Sequence, residues 1–155
     1  MTPAVVAAQR AKVPFELHEY EHDPASASYG LEAAEKLGVE PATVFKTLLA
    51  KLDGQKLVVA IVPVERSLDL KALAAALGGK RAAMADVGEA ERATGYVAGG
   101  ISPLGQRKRL PTVLDDSALQ HERIHVSGGR RGLEIALAPA DLVRLCGGKT
   151  APIAR

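Results

Sequence analysis

The spacing of apolar and polar positions sets out most of the chain's elements. Residues 2–12 have helical spacing, with Pro3 in the first turn. Residues 15–21, bounded by Pro14 and by Asp23-Pro24, alternate as a strand. Ser28 can cap a helix that runs through Leu31, Ala34 and Leu37 and stops at Gly38. Residues 44–52 and 56–64 carry the strongest strand patterns, joined around Asp53-Gly54 as a hairpin. Within the second, Leu57-Val58-Val59-Ala60-Ile61-Val62 is apolar on both faces, which predicts a central strand. Ser67 is expected to cap a helix with Leu70, Leu73, Ala74 and Leu77 on one side, closed by Gly78-Gly79. A short strand is expected at 81–85, and Asp86 as the cap of a helix reaching Thr94. Strands follow at 112–115, 123–127 and 133–138, then a closing helix at 139–146 with Gly147 past its end. Helices and strands interleave, yet several strands are joined by short turns. That predicts an α/β (α+β) fold with a curved mixed sheet rather than a doubly wound parallel one.

Composition narrows the classes. With 155 residues, 47% hydrophobic and 25% charged, the chain is expected to form one domain, 1–155, with an adequate core. It has two Phe, three Tyr and no Trp, so the core must be aliphatic. Scarce aromatics argue against a protein that stacks successive single-stranded bases. One cysteine, Cys146, excludes an internal disulfide framework and a Cys-rich zinc site. The first fifteen residues lack a long apolar run, and no stretch approaches the ~20 residues that span a bilayer. A soluble, cytoplasmic protein is expected, with neither membrane nor DNA as partner. The net charge of +2 is unevenly placed. Residues 99–132 hold six basic and three acidic residues, hence +3, which leaves −1 for the remainder. Such a distribution suits a polyanion approaching one face.

Candidate chemistry begins at residues 99–109, Gly-Gly-Ile-Ser-Pro-Leu-Gly-Gln-Arg-Lys-Arg. Glycines allow close approach to a ligand and can turn successive N–H groups toward an oxyanion, and the cations attract phosphate. A second glycine loop, Ser127-Gly128-Gly129-Arg130-Arg131-Gly132, echoes it. Whether the two loops meet is not readable from spacing. Lys46 lies inside an apolar strand, sharing a face with Val44, Leu48 and Ala50, while Phe45, Thr47, Leu49 and Lys51 face the other way. An ammonium there must reach solvent, pair, or lose its charge. In the floor of a pocket it would donate to a carbonyl or a phosphate.

Other motifs carry less. His18-Glu19-Tyr20-Glu21-His22 spells the His-Glu-x-x-His zinc pattern, but it lies between prolines in a strand-like segment and lacks a third ligand. No metal or cofactor is expected. His121 and His125 bracket a strand start. A triad from Ser127, His125 and Asp115 can be assembled, as in almost any chain of this size. Cys146 reads as a small buried hydrophobe ending a helix.

Three segments together, 44–48 (Val-Phe-Lys-Thr-Leu), 99–106 and 127–135, resemble the YbaK/EbsC family, Cys-tRNA(Pro) deacylases related to the editing domain of bacterial prolyl-tRNA synthetases. Gly99-x-x-x-Pro103 is similar to the Gly-x-x-x-Pro loop of the wider editing superfamily. The resemblance implies a barrel-like mixed sheet flanked by helices. It also implies hydrolysis of the aminoacyl ester of a mischarged tRNA, through the substrate cysteine's own thiol. Lys46 and the loop residues Gly99, Gly100, Ile101 and Ser102 would then be catalytic. Tyr20, Tyr29, Thr47, Pro103, Ser127 and Glu134 would bind substrate, Tyr29 standing where the family often has another aromatic. Arg107, Lys108, Arg130 and Arg131 would contact tRNA phosphates. The implied partners are tRNA(Pro) at its acceptor end and prolyl-tRNA synthetase. A deacylase for Ala-tRNA(Pro) or another small aminoacyl group, using water, is the alternative within the class; a non-catalytic tRNA- or synthetase-binding module is the alternative outside it.

Overall fold

Strand β3 (Lys56–Pro63) sits at the middle of the molecule because its apolar run has no polar face to give to water. Val58, Val59, Ala60, Ile61 and Val62 are fully buried. The computed structural model describes residues 1–26 and 28–155. In it β3 is flanked by β2 (Phe45–Leu52), antiparallel, and by β5 (Thr112–Asp115), parallel. Adding β4 (Ala82–Met84) and β8 (Lys149–Ala151) completes a mixed sheet in the order β4-β2-β3-β5-β8. Strands β1 (Phe15–Glu19), β7 (Leu133–Leu137) and β6 (Ile124–Ser127) form a second, antiparallel sheet in the order β1-β7-β6. A lone parallel bridge, Val44 to His125, links the two.

Alternation along β2 and β3 divides the interior into two apolar layers. On one side Phe45, Leu49, Val59 and Ile61 pack with Ala4, Val5 and Ala8 of α1 (Pro3–Ala11) and with Val126, Ile135 and Leu137 of the smaller sheet. On the other, Ala50, Val58, Ala60 and Val62 pack with Leu73 and Ala74 of α3 (Leu70–Ala76). Helix α2 (Tyr29–Leu37) covers Val44 and Val64 with Ala33 and Ala34. Helices α4 (Val87–Thr94) and α5 (Pro139–Cys146) complete a mixed α/β fold, and the expected caps Ser28 and Asp86 accept from Leu31 and Glu89 N–H. No helix of the described residues is long and apolar enough to cross a membrane.

Several expectations need correction. No closed barrel forms among the described residues: β1, β4 and β8 end their sheets unpaired on one side. The cap of α3 is Asp69, whose Oδ1 accepts from Ala72 N–H at 3.0 Å. Ser67 instead exchanges both backbone hydrogen bonds with Arg155. The first strand stops at Glu19: Tyr20 N–H still donates in register to Gly132 O at 2.9 Å, but its partner strand begins only at Leu133, after Gly132 turns at φ +86°. Strand β8 was not anticipated; three residues after Gly147-Gly148 are too few to show alternation.

Asp115 holds that C-terminal segment in place. It is buried, and its Oδ1 accepts from the N–H groups of Ile153 and Ala154, both at 2.9 Å. Its Oδ2 accepts from Ser117 N–H at 3.3 Å and lies 3.7 Å from the Arg66 guanidinium. Removing the carboxylate strands those donors. Asp115→Ala is expected to cost about 3 kcal/mol and lower Tm by roughly 6–12 °C, with Asp115→Asn losing less because its amide oxygen still accepts. A thermal melt of the two variants checks this; equal Tm values for Ala and wild type would contradict it.

Candidate functional site

A cavity of about 410 Å³ opens where the two sheets part. Its wall includes Phe45, Lys46, Thr47, Leu48 and Leu49 of β2. That volume lies in the range of small-molecule pockets. Ten of the residues singled out in the sequence line it: Tyr20, Tyr29, Lys46, Thr47, Gly99, Ile101, Ser127, Arg130, Arg131 and Glu134. They come from β1's end, α2, β2, β6, β7 and both glycine loops, so only tertiary packing assembles them.

Lys46 keeps the face alternation predicted for it. It is half-buried, and among the described residues it forms no ion pair. Burial lowers its pKa from the ordinary lysine value. Glu134 also lines the cavity and has no ion-pair partner among the described residues, and burial pushes its carboxyl up to about 8. At neutral pH it is therefore mostly a neutral acid, able to donate as well as accept. The Tyr20 phenol is raised first by its own burial and then by the Glu134 charge. Across the small sheet Glu134 stands in register between His18 and Ser127.

The two glycine loops meet. A Cβ on Gly100 would lie 2.9 Å from Arg130 Cα, and one on Gly99 (φ +89°) 2.5 Å from Arg131 Nε, so neither site accepts a side chain. Arg131 closes the contact: its guanidinium lies 3.9 Å from the Tyr29 ring centroid and donates to Ala98 O at 3.2 Å. Arg130 forms an exposed ion pair with Glu19 at 3.4 Å.

Other expected site residues stand apart from the cavity. Ser102 is fully buried, its hydroxyl accepting from Leu104 N–H at 3.2 Å and its carbonyl from Gln106 Nε2 at 3.0 Å. Gly100, Ser102 and Pro103 do not line the cavity, and Gly100 N–H is committed to Val97 O at 2.9 Å. Gly99 and Ile101 N–H have no partner among the described residues. Arg107 and Lys108 also lie off the cavity wall, their N–H groups donating to Thr94 O and Ala93 O in the last turn of α4. The Arg109 guanidinium crowds Gly147 at the end of α5. Cations there also complement helix C-termini.

The competing motifs separate. His18 and His22 do not share a helical turn: His18 is in β1, 5.6 Å from the His125 ring, and His22 Nδ1 is 2.6 Å from Glu32 Oε1. Asp115 is committed to backbone donors, and Ser127 Oγ accepts from Gly129 N–H. The half-buried Cys146 bonds Leu142 O through Sγ at 3.0 Å.

A family model described as the aminoacyl-tRNA editing domain matches residues 23–145, most of the chain and nearly all of this site. The chain belongs to that family. EbsC of Enterococcus faecalis, named for a proposed Cys-tRNA(Pro)/Cys-tRNA(Cys) deacylase activity, is 40% identical over 98% of this chain and 92% of its own. The Escherichia coli Ser/Thr-tRNA deacylase ProXp-y is 31% identical over 64% of this chain and 62% of its own. A crystal structure described as a proposed trans-editing enzyme for prolyl-tRNA synthetase superposes with a TM-score of 0.85 at 25% identity, covering 99% of this chain and 95% of the other. This editing domain is thus an enzyme that hydrolyses an aminoacyl ester.

Sequence reading missed Met84 and Val87 of the editing domain, exposed apolar residues at the cavity mouth. Their pattern is that of any short edge strand and helix start, so no local signal marks them.

The raised Glu134 carboxyl predicts a pH effect with a definite sign. Below about pH 4.5 folded and unfolded chains both hold the proton. As pH rises toward 8 the unfolded chain releases it and the folded chain does not, so stability falls by ~1.4 kcal/mol per pH unit and levels off above the folded value. Glu134→Gln should therefore gain on wild type in Tm between pH 5 and pH 8.5. A Tm difference that stays constant over that span would contradict it.

Proposed function

We propose that this editing domain acts in trans to deacylate mischarged tRNA, with Cys-tRNA(Pro) as its substrate. The observation that carries the reading is that Lys46, Tyr20, Tyr29, Thr47, Ser127 and Glu134 line one cavity of about 410 Å³ together with Gly99 and Ile101, whose N–H groups have no partner among the described residues. Similarity to EbsC across nearly the whole chain supports the cysteinyl substrate. Similarity to the structure described as a trans-editing enzyme for prolyl-tRNA synthetase supports tRNA(Pro), and that synthetase, as partners.

In this reading the cavity holds the aminoacyl ester bent back on itself. The substrate's cysteine sulfur bonds to its own carbonyl carbon, the ester C–O bond breaks, and the thiol proton passes to the departing ribose oxygen. Water then opens the resulting thiolactone. Such an intramolecular attack gains most from being held in a reactive geometry. Gly99 and Ile101 N–H would meet the developing oxyanion, a contribution of ~3 kcal/mol per donor. Lys46 holds the carbonyl or the terminal phosphate and does not act as nucleophile. Arg130 and Arg131 at the mouth would take the nearest phosphates, and Arg107 and Lys108 others further along the acceptor stem. Gly100, Ser102 and Pro103 support the loop from behind.

Single-turnover deacylation of Cys-tRNA(Pro) tests the assignment. Lys46→Ala is expected to lower the rate at least 100-fold, equivalent to about 3 kcal/mol, and an unchanged rate would overturn it. Replacing the substrate cysteine by serine is expected to lower the rate similarly. An undiminished rate on Ser-tRNA(Pro) would point instead to water as the nucleophile, the reading that similarity to the Ser/Thr-tRNA deacylase favours.

A further inference from the structure

Part of the cavity wall is main chain. Val64 N–H donates to Val44 O at 2.8 Å, which fixes the phase of the β2–β3 ladder. With Lys46 opposite Val62 and Leu48 opposite Ala60, the N–H and C=O of Lys46, Leu48 and Ala50 point at β3, as does the C=O of Val44. The main-chain groups of Phe45, Thr47, Leu49 and Lys51 therefore point to the opposite edge. Two different strands occupy that edge. At its start Val44 bridges to His125 of β6. At its end Ala85 N–H donates to Leu49 O at 3.0 Å, and Lys51 stands opposite Ala83 of β4.

Thr47 falls in the gap between them. On that edge no residue of β6 or β4 is in register with Thr47, and Thr47 lines the cavity. A second observation singles out the same residue: Thr47 Oγ1 is buried and lacks a hydrogen-bond partner. A break in strand pairing and an unpartnered buried hydroxyl thus coincide at one residue of the cavity wall. Buried polar groups are ordinarily paired, so such a coincidence marks a place where a ligand supplies the missing bonds.

An α-amino ester has the same donor and acceptor, on either side of one carbon, as a residue in a strand. Two directly opposed antiparallel residues can exchange both bonds. We propose that the aminoacyl group of the substrate fills this gap as a single strand residue, its α-amine donating to Thr47 C=O and its ester carbonyl accepting from Thr47 N–H. This rests on the deacylase reading above and deepens it. Recognition through main chain is blind to the amino-acid side chain and tests for the α-amine every aminoacyl-tRNA carries. It leaves side-chain selection to the rest of the cavity. It also places the reacting carbonyl at β2 beside Lys46.

The test compares Cys-tRNA(Pro) with the same tRNA esterified by 3-mercaptopropionate, which keeps thiol and ester and lacks the amine. Each enzymatic single-turnover rate is divided by the uncatalysed rate of the same ester, which removes the difference in intrinsic reactivity. The acceleration is expected to fall roughly 10- to 100-fold without the amine. Equal acceleration of both esters would overturn the gap proposal while leaving the deacylase reading intact; acceleration of neither would overturn both. Thr47→Pro addresses the other bond. It removes an N–H that the β3 ladder does not use, and proline is tolerated where a strand edge lacks a partner. With a Tm near wild type, it is expected to lose at least tenfold in acceleration on Cys-tRNA(Pro). A folded Thr47→Pro at full rate would count against the N–H bond, and if the variant does not fold, the two-ester comparison on wild type still decides.

Discussion

The β2–β3 ladder is the constraint on which the rest of this molecule depends. Eight residue pairs hold β2 in one register, and a slip of a single residue would send Phe45 and Leu49 to the face that Lys46 occupies. Because both faces of β3 are buried, slippage would cost the burial of several side chains at once, each worth ~1.5–3 kcal/mol. That rigidity lets the free edge of β2 be divided between β6 and β4 without losing its line. The cavity is the space left by that division.

Charge inside the cavity follows from the same arrangement. Lys46 and Glu134 come from different sheets, and among the described residues neither has an ion-pair partner. Burial acts on each separately, pushing the lysine down and the carboxyl up. Both shifts favour neutral groups, which suits a pocket for an ester held in low dielectric. The compensating positive charge sits at the rim, on Arg130 and Arg131. There Arg131 also ties α2 to the first glycine loop through Tyr29 and Ala98. One residue thus contributes to loop geometry and to the field at the mouth.

Legibility varied with how local the determining physics was. Capping and periodicity are properties of a few adjacent residues, so α1, α2, α4 and α5 and the β2–β3 hairpin were readable. Ser67 and Asp69 show the limit: either can cap a helix, and the choice fell to Asp69 because Ser67 is drawn into pairing with Arg155. In the site, Lys46 stood out because a charge in an apolar strand is locally anomalous. Ser102, equally prominent beside glycines, turned inward to bond its own loop. Residues 107–109 looked continuous with residues 130–131 as one basic surface. Packing instead set them at the ends of two helices, away from the cavity wall.

By itself the sequence determined the strand and helix periods, the two-sided burial of β3, the lysine on an apolar strand face and the paired glycine loops, all consequences of side-chain order along a short stretch. Tertiary structure alone decided that the glycine loops touch, with Gly100 against the Arg130 backbone, and that Glu134 is buried enough to stay protonated near neutrality. It also decided that β2 has a gap at Thr47. The physical reason is common to all three. Contact, desolvation and a break in strand pairing are set by what the rest of the chain places nearby, and residues as far apart in sequence as Gly100 and Arg130, or Leu49 and Ala85, have no local pattern through which to announce it.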